Sequence, residues 1–240
     1  MKHIHFFGCS FTAGDELSDH LYFPWKSECK TPREYYERRN NSNIDYHKYM
    51  NENKSKAYPS ILGGINHALN GTSLKENMLK IIQLINSDTS VDAIYLQLPP
   101  FMRELYITDD GTIRSLRFNS LDTDVAKSYV KSKISTHSDI NFVVNDIMDL
   151  ITFYNFMKNK NINFELISFG YELKLRRDTL AKSSFNFLRT ELDKLEMLDF
   201  TNYIISNNAR HIGGHFNIEA HQHFAQVIKQ HLSDKFSISL

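Results

Sequence analysis

The sequence HFFGCSFTAG at residues 5–14 begins with an apolar run that stops at Gly8 and continues with a cysteine, a serine and a threonine. This pattern predicts a buried first strand that ends on a glycine turn, with Ser10 directly beyond it. Two later apolar runs, VDAIYLQL at 91–98 and INFELISFG at 162–170, predict further buried strands. Continuous apolar strands are typical of a parallel sheet that helices cover on both faces.

Helical patterns separate these predicted strands. Apolar residues recur at helical spacing over 74–88, and the segment 140–160 has a continuous apolar face. We also expect a helix over 179–195 and a C-terminal helix for which Asn217 is the N-cap. Short strands are expected within 65–73 and 197–204. Strands that alternate with helices predict an α/β fold, a three-layer α/β/α sandwich with a mostly parallel sheet.

The sequence predicts a single domain over residues 1–240, because no linker or internal repeat divides it. Residues 21–56 have no clean period and are rich in tyrosine, asparagine and charge. They are expected to form a surface insertion, with a short helix at 32–39. The turn residues Asp109, Asp110 and Gly111 lie between two strand-like runs and predict a hairpin at about 105–117.

The composition limits the possible partners and the compartment. Lysine plus arginine equals aspartate plus glutamate, 28 against 28, so no net field favours nucleic acid or an anionic membrane. Two cysteines, Cys9 and Cys29, are too few for a disulfide framework. The sequence has no signal peptide and no apolar run long enough for a transmembrane helix, so a cytoplasmic protein is expected. Its oligomeric state does not follow from the sequence.

Ser10 follows a strand at the sheet edge where α/β proteins bind ligands. A phosphate-binding loop would need a lysine here, and a dinucleotide site would need a second glycine. A nucleophilic serine needs backbone N–H groups directed at the oxyanion, and a histidine within reach. His215 is the candidate for this histidine. It lies on a glycine-flanked loop just before the helix that Asn217 caps, and a position fixed against the start of a helix suits a general base. This chemistry needs no cofactor.

Several histidines raise the question of a metal. His211 and His215 are four residues apart, with His221 and His223 nearby. Two ligands at this spacing need a helix, which Gly213 and Gly214 disfavour, and no carboxylate or thiol stands at a supporting spacing. We therefore expect no metal site.

Three segments resemble the conserved blocks of the SGNH (GDSL-type) hydrolases, whose sheet is flavodoxin-like. FFGCSFTAGDEL at 6–17 is similar to the block that carries the nucleophile, and HFNIEAHQHFA at 215–225 is similar to the block of the catalytic histidine. INHALNGTS at 65–73 resembles the block whose glycine lines the oxyanion hole. The resemblance implies that Ser10 is the nucleophile and His215 the base. It also implies that the N–H groups of Ser10 and Gly71 bind the oxyanion, with Ser73 beside them at the substrate.

The sequence departs from the family pattern at two places. An aspartate two or three residues before the histidine is replaced by Gly213 and Ile212. The chain therefore works as a dyad, takes its acid from elsewhere, with Asp199 or Glu219 as candidates, or is inactive. The block with an oxyanion asparagine is replaced by PPFMRE at 99–104, which leaves the Gln97 amide as a candidate donor. Arg103 either binds an anionic or sugar substrate or pairs with a carboxylate such as Glu104.

The resemblance implies a serine esterase that acts through an acyl-enzyme, with O-acetyl groups on a carbohydrate as the expected substrate. Two alternatives remain open at this point. The same acyl-enzyme could pass its acyl group to a sugar hydroxyl, which would make the protein an acyltransferase. The missing aspartate and asparagine instead favour a catalytically impaired domain that binds a glycan or assembles with other chains.

Overall fold

The computed structural model describes residues 2–100, 103–107, 113–117, 139–181, 183–210 and 214–240. The strands are β1 (Ile4–Phe7), β2 (Ile65–Asn66), β3 (Ala93–Gln97), β4 (Arg103–Ile107), β5 (Ile113–Arg117), β6 (Phe164–Ser168) and β7 (Met197–Asp199). Five of them form a parallel sheet in the order β2-β1-β3-β6-β7. Strands β4 and β5 form a separate antiparallel pair within the predicted hairpin, and the residues between them lie outside the described ones.

Helices lie between the strands of the sheet and after the last one. They are α1 (Ser10–Ala13), α2 (Asp19–Tyr22), a 3₁₀ helix (Pro24–Glu28), α3 (Pro32–Asn40), α4 (Tyr46–Lys56), α5 (Tyr58–Ile61), α6 (Leu74–Ile85), α7 (Asp139–Asn159), α8 (Tyr171–Ala181), α9 (Phe187–Asp193), α10 (Thr201–Ser206) and α11 (Ile218–Phe236). Asn217 caps α11 as predicted, because its Oδ1 accepts a hydrogen bond of 2.9 Å from the Ala220 N–H.

Two hydrophobic cores cover the two faces of the sheet. Phe7, Leu96 and Leu166 lie in one core with residues of α6 to α9, while the neighbouring strand residues Phe6 and Tyr95 lie in the other with residues of α5, α10 and α11. Strands β1, β3 and β6 are wholly buried, which explains their continuous apolar sequences. The predicted three-layer α/β/α sandwich with a parallel sheet is confirmed.

Some elements differ from those predicted. The helix expected over 179–195 is two helices, α8 and α9, and α8 begins eight residues earlier. Ser183 separates them, because its hydroxyl donates to the Leu180 carbonyl and accepts from the Phe185 N–H. Residues 21–56 hold α4 and the 3₁₀ helix besides the expected α3, and they bury the rings of Phe23, Tyr35 and Tyr49 completely. None of the helices in the described part of the chain could span a membrane.

Candidate active site

Ser10 is the first residue of α1, immediately beyond the carboxyl end of β1. The turn that places it depends on Gly8, whose φ is +155°. A Cβ on Gly8 would lie 2.6 Å from Thr12 Oγ1 and 2.8 Å from Gln97 Oε1, so only glycine fits here. Because β1 lies between β2 and β3, Ser10 is at the point where the order of the strands reverses.

The structure brings Ser10 and His215 together across 205 residues of sequence. His215 Nε2 lies 2.8 Å from Ser10 Oγ. Two contacts join the ends of the loop that carries His215. Arg210 and Phe216 form an antiparallel bridge, and the Asn217 N–H donates to the Ala209 carbonyl.

The second nitrogen of His215 contacts a carboxylate that the sequence analysis missed. His215 Nδ1 lies 2.6 Å from Glu16 Oε1. A carboxylate accepts hydrogen bonds, so this contact places the imidazole proton on Nδ1 and leaves Nε2 free to accept the proton of Ser10. Ser10, His215 and Glu16 therefore have the geometry of a serine–histidine–acid triad.

Glu16 is held as a carboxylate by its surroundings. Its pKa falls from 4.5 to about 2 although burial alone would raise it, because the hydrogen bond to His215, the charge of His215 and the contact with Lys26 together outweigh burial. The residue is 1% exposed, and its φ of +74° is unusual for a residue with a side chain. Such a backbone persists only where its surroundings enforce it, as at many functional sites.

The segment 21–56 supplies most of the groups that surround Glu16. Lys26 Nζ lies 3.2 Å from Glu16 Oε2 and 2.6 Å from Asp19 Oδ2. The Tyr36 hydroxyl donates to Glu16 Oε1 at 3.3 Å, and the Tyr49 hydroxyl accepts from the Glu16 N–H at 3.2 Å. The segment therefore packs against the triad and positions its acid.

Neither acid proposed from the sequence reaches His215. Asp199 is the last residue of β7, and its Oδ1 accepts from the Thr201 N–H at 2.9 Å. Glu219 is exposed on the first turn of α11. Asp15, the residue before Glu16, lies 3.8 Å from His215 Nε2, but it is paired with Arg39 at 2.8 Å. The sequence signal for Glu16 was the acidic pair directly after Gly14, six residues beyond Ser10.

The predicted oxyanion residues have different surroundings. Gly71 is buried with a φ of +86°, and its neighbour Thr72 ties this loop to the nucleophile turn through a 2.7 Å hydrogen bond to the Gly8 carbonyl. Gln97 is fully buried, its Oε1 accepts from the Cys9 N–H at 3.0 Å, and its Nε2 donates to the Leu98 carbonyl. The Gln97 side chain therefore holds the turn of Ser10 through its Oε1, while one of its two amide N–H groups is used by the Leu98 carbonyl.

The predicted substrate residues Ser73 and Arg103 contact the protein's own backbone. Ser73 is buried and caps α6, since its Oγ accepts from the Glu76 N–H at 3.1 Å. Arg103 donates to the Thr72 carbonyl at 3.0 Å, which places it beside the loop of Gly71. The pairing of Arg103 with Glu104 lies outside the described residues.

The histidines near the C terminus have separate contacts. His221 Nδ1 accepts from the Tyr58 N–H at 3.2 Å, and the His223 ring stacks on Tyr203 at 3.7 Å between centroids. His211 is outside the described residues. Over the ranges that the structure describes, no three histidine, cysteine, aspartate or glutamate residues are grouped as metal ligands would be.

Comparisons with known proteins support the fold. No protein-family model and no curated protein matches the chain. Among solved structures, it is similar to the psychrotrophic esterase EstA from Pseudoalteromonas sp., inhibited by monoethylphosphonate, with 9% identity and a TM-score of 0.51 over 99% of this chain and 100% of that one. It is also similar to a carbohydrate esterase, with 13% identity and a TM-score of 0.49 over 99% and 67% of the two chains. A third similar structure is a member of the lipolytic G-D-S-L family from Veillonella parvula DSM 2008, with 11% identity and a TM-score of 0.44 over 99% and 100%.

At these identities the likeness concerns the arrangement of strands and helices. The chain has the three-layer α/β/α fold of the SGNH (GDSL-type) hydrolases, so the resemblance inferred from the sequence is confirmed at the level of the fold.

Proposed function

We propose that the protein is a serine esterase of the SGNH type. The observation that carries this proposal is the chain of two short contacts, 2.8 Å from Ser10 Oγ to His215 Nε2 and 2.6 Å from His215 Nδ1 to Glu16 Oε1. A hydroxyl, an imidazole and a carboxylate in this order form the machinery of acyl transfer on several unrelated folds. The contact of Glu16 with His215 weighs against an impaired domain, because a carboxylate is present where the family pattern lacks its aspartate.

In the proposed reaction, Ser10 Oγ attacks the acyl carbon of an ester while His215 Nε2 takes the hydroxyl proton. The backbone N–H groups of Ser10 and Gly71 stabilise the oxyanion. His215 then gives its proton to the leaving alcohol, and an acyl-enzyme remains on Ser10. A water molecule that His215 deprotonates releases the acid and restores the serine.

Glu16 acts through His215 in this scheme and is a positioning residue. Its carboxylate keeps the proton on Nδ1 and stabilises the imidazolium that forms at each proton transfer. For the substrate we propose an O-acetyl group on a carbohydrate, which the family resemblance suggests.

A fluorophosphonate probe tests the proposal directly, because it forms a stable bond with an activated serine. We expect labelling of the wild type at Ser10, no labelling of Ser10→Ala, and labelling slowed at least 10³-fold in His215→Ala. Hydrolysis of p-nitrophenyl acetate should be lost in the same two variants. Cys9→Ala, a change at the buried neighbour of Ser10, is the matched control and should still be labelled.

Two results would lead to the alternatives. A folded wild type that is neither labelled nor active would favour a binding module. If labelling succeeds but added sugar alcohol diverts most of the acyl group from water, the protein is an acyltransferase that uses the same residues.

A further inference from the structure

A cavity of about 510 Å³ adjoins the proposed triad. His215 and Gly214 form the wall that it shares with the active site, and the rings of Phe11 and Tyr171 form apolar walls. Tyr171 is 63% exposed, so its ring is open to a ligand. A group attached to the scissile ester can enter this cavity while the acyl carbon lies at Ser10, since His215 touches both spaces.

Glu172 lines this cavity and is a buried carboxyl group with an unsatisfied oxygen. It lies on the first turn of α8, is 1% exposed, and its Oε2 has no hydrogen-bond partner among the described residues. Burial raises the pKa of Glu172, against the opposing influence of its own backbone N–H and of Arg176 and Arg210. Buried polar atoms are nearly always satisfied in proteins, so an orphaned oxygen on a residue that lines a cavity indicates a missing donor.

Arg210 also lines this cavity, so a guanidinium group stands on its wall as well as the carboxyl group of Glu172. Its Nη1 donates to the Gly214 carbonyl at 2.7 Å, and its guanidinium lies over the Phe216 ring at 4.8 Å and the Phe11 ring at 5.3 Å. A guanidinium has five N–H donors, so one bond to Gly214 leaves others for a ligand. Burial lowers the pKa of Arg210 and the charge of Glu172 opposes this shift, but no ion pair joins the two side chains within the described ranges.

A neutral polyhydroxy group fits these surroundings better than a charged one. An anionic ligand would meet the carboxyl group of Glu172, and a cationic ligand would meet the guanidinium of Arg210. A hydroxyl both donates and accepts, so vicinal hydroxyls can satisfy both groups at once. The aliphatic face of a sugar ring can also pack against an exposed aromatic ring such as Tyr171.

We infer that this cavity is the subsite for the alcohol part of the ester and that Glu172 is a specificity residue, which accepts a hydrogen bond from a hydroxyl of a polyol or sugar. The inference rests on the proposed esterase function and names the group that would select its substrate. A site that hydrogen-bonds a substrate hydroxyl rejects an analogue without it, because its own polar group is then left unpaired.

Two acetate esters of different alcohols test the inference. Glycerol monoacetate carries hydroxyls beside the ester and ethyl acetate carries none. We expect the wild type to have the higher kcat/KM for glycerol monoacetate. In Glu172→Leu the ratio of the two kcat/KM values should fall about tenfold or more, which is the typical value of one hydrogen bond to a charged group. Glu172→Gln, which keeps a weaker acceptor, should give a smaller fall.

Stability and labelling separate a recognition role from a structural one. Because Glu172 Oε2 has no hydrogen-bond partner in the described part of the chain, Glu172→Leu should stay close to the wild type in thermal unfolding. Fluorophosphonate labelling at Ser10 shows that the triad of each variant is intact. Asp178→Asn removes an exposed carboxylate of the same helix and should leave the ratio unchanged.

The outcomes distinguish this inference from the proposed function. If the wild type is not labelled and hydrolyses neither ester, the esterase proposal fails and the subsite fails with it. If the wild type is labelled and active, but both Glu172 variants keep the wild-type ratio or the wild type prefers ethyl acetate, only the subsite is overturned.

Discussion

Replacing Glu16 with glutamine should remove most of the activity without removing the fold. Glutamine has the shape of glutamate, but its amide can donate to His215 Nδ1, which moves the imidazole proton to Nε2. A protonated Nε2 cannot accept the proton of Ser10. The change therefore affects the chemical step, so kcat should fall while KM stays nearly constant.

The pKa of Glu16 gives the size of the effect. It falls from 4.5 to about 2, a difference of about 2.5 pH units, which corresponds to about 3 kcal/mol at 1.36 kcal/mol per unit. Burial opposes this shift and Lys26 shares in it, so about 3 kcal/mol is an order-of-magnitude value for stabilisation of the charged His215, or roughly 10²-fold in rate. The wrong tautomer adds to this loss, and an amide in place of the acid of a triad can cost about 10⁴-fold. We expect a fall in kcat of about 10³-fold.

The assay is hydrolysis of p-nitrophenyl acetate over a range of pH, with the rate of fluorophosphonate labelling as a second readout. Glu16→Asp should recover part of the activity, which a merely structural role would not require. Asp199→Asn and Glu219→Gln, the acids expected from the sequence, are matched controls and should stay within twofold of the wild type. A folded Glu16→Gln variant with at least a third of the wild-type kcat would refute the reasoning.

Two further predictions concern stability. The folded-state pKa of Glu16 is depressed, so its contribution is complete above pH 4.5 and is lost as the pH falls towards 2. Between pH 5 and pH 2, the free energy of unfolding measured with urea should therefore fall by up to about 3 kcal/mol more for the wild type than for Glu16→Gln. Parallel plots of this free energy against pH for the two proteins would contradict the prediction. Lys26→Met leaves the buried carboxylates of Glu16 and Asp19 without their shared cation, and should lower the free energy of unfolding by about 3 kcal/mol. Urea unfolding at pH 7 checks this value, with Lys30→Met as an exposed control.

The centre of the sheet could be predicted because β1, β3 and β6 are buried on both faces. Their sequences are short, mainly apolar runs followed by glycine or proline, as is typical of buried parallel strands. Ser10 and His215 could be predicted for a local reason. One follows a strand at a glycine turn, and the other precedes a capped helix, so each is fixed by its own neighbours.

Glu16 could not be predicted from periodicity or from the position of the family's acid. Its side chain reaches His215 because α1 is a single turn that ends at Gly14, with a φ of +76°, and Glu16 itself has a φ of +74°. Two left-handed residues so close together reverse the chain and direct the carboxylate back towards Ser10. The additional helices within residues 21–56 could not be predicted either, for a related reason. The rings of Tyr35 and Tyr49 are buried against charged groups, so no apolar stripe marks their helices.

The position of the acid changes how the site is held together. Ser10 and Glu16 both lie in the segment directly after β1, so only His215 of the proposed triad comes from a distant segment, and its imidazole is the link between the other two. The family pattern instead places the acid beside the histidine. Here the acid is held by the segment 21–56, through Lys26 and Tyr49, so this segment determines whether the imidazole is oriented. The alcohol part of the substrate would bind on the other side of His215, against Glu172. Since different segments surround the acid and Glu172, changes in 21–56 should affect the chemical step, whereas changes at Glu172 should affect the choice of substrate.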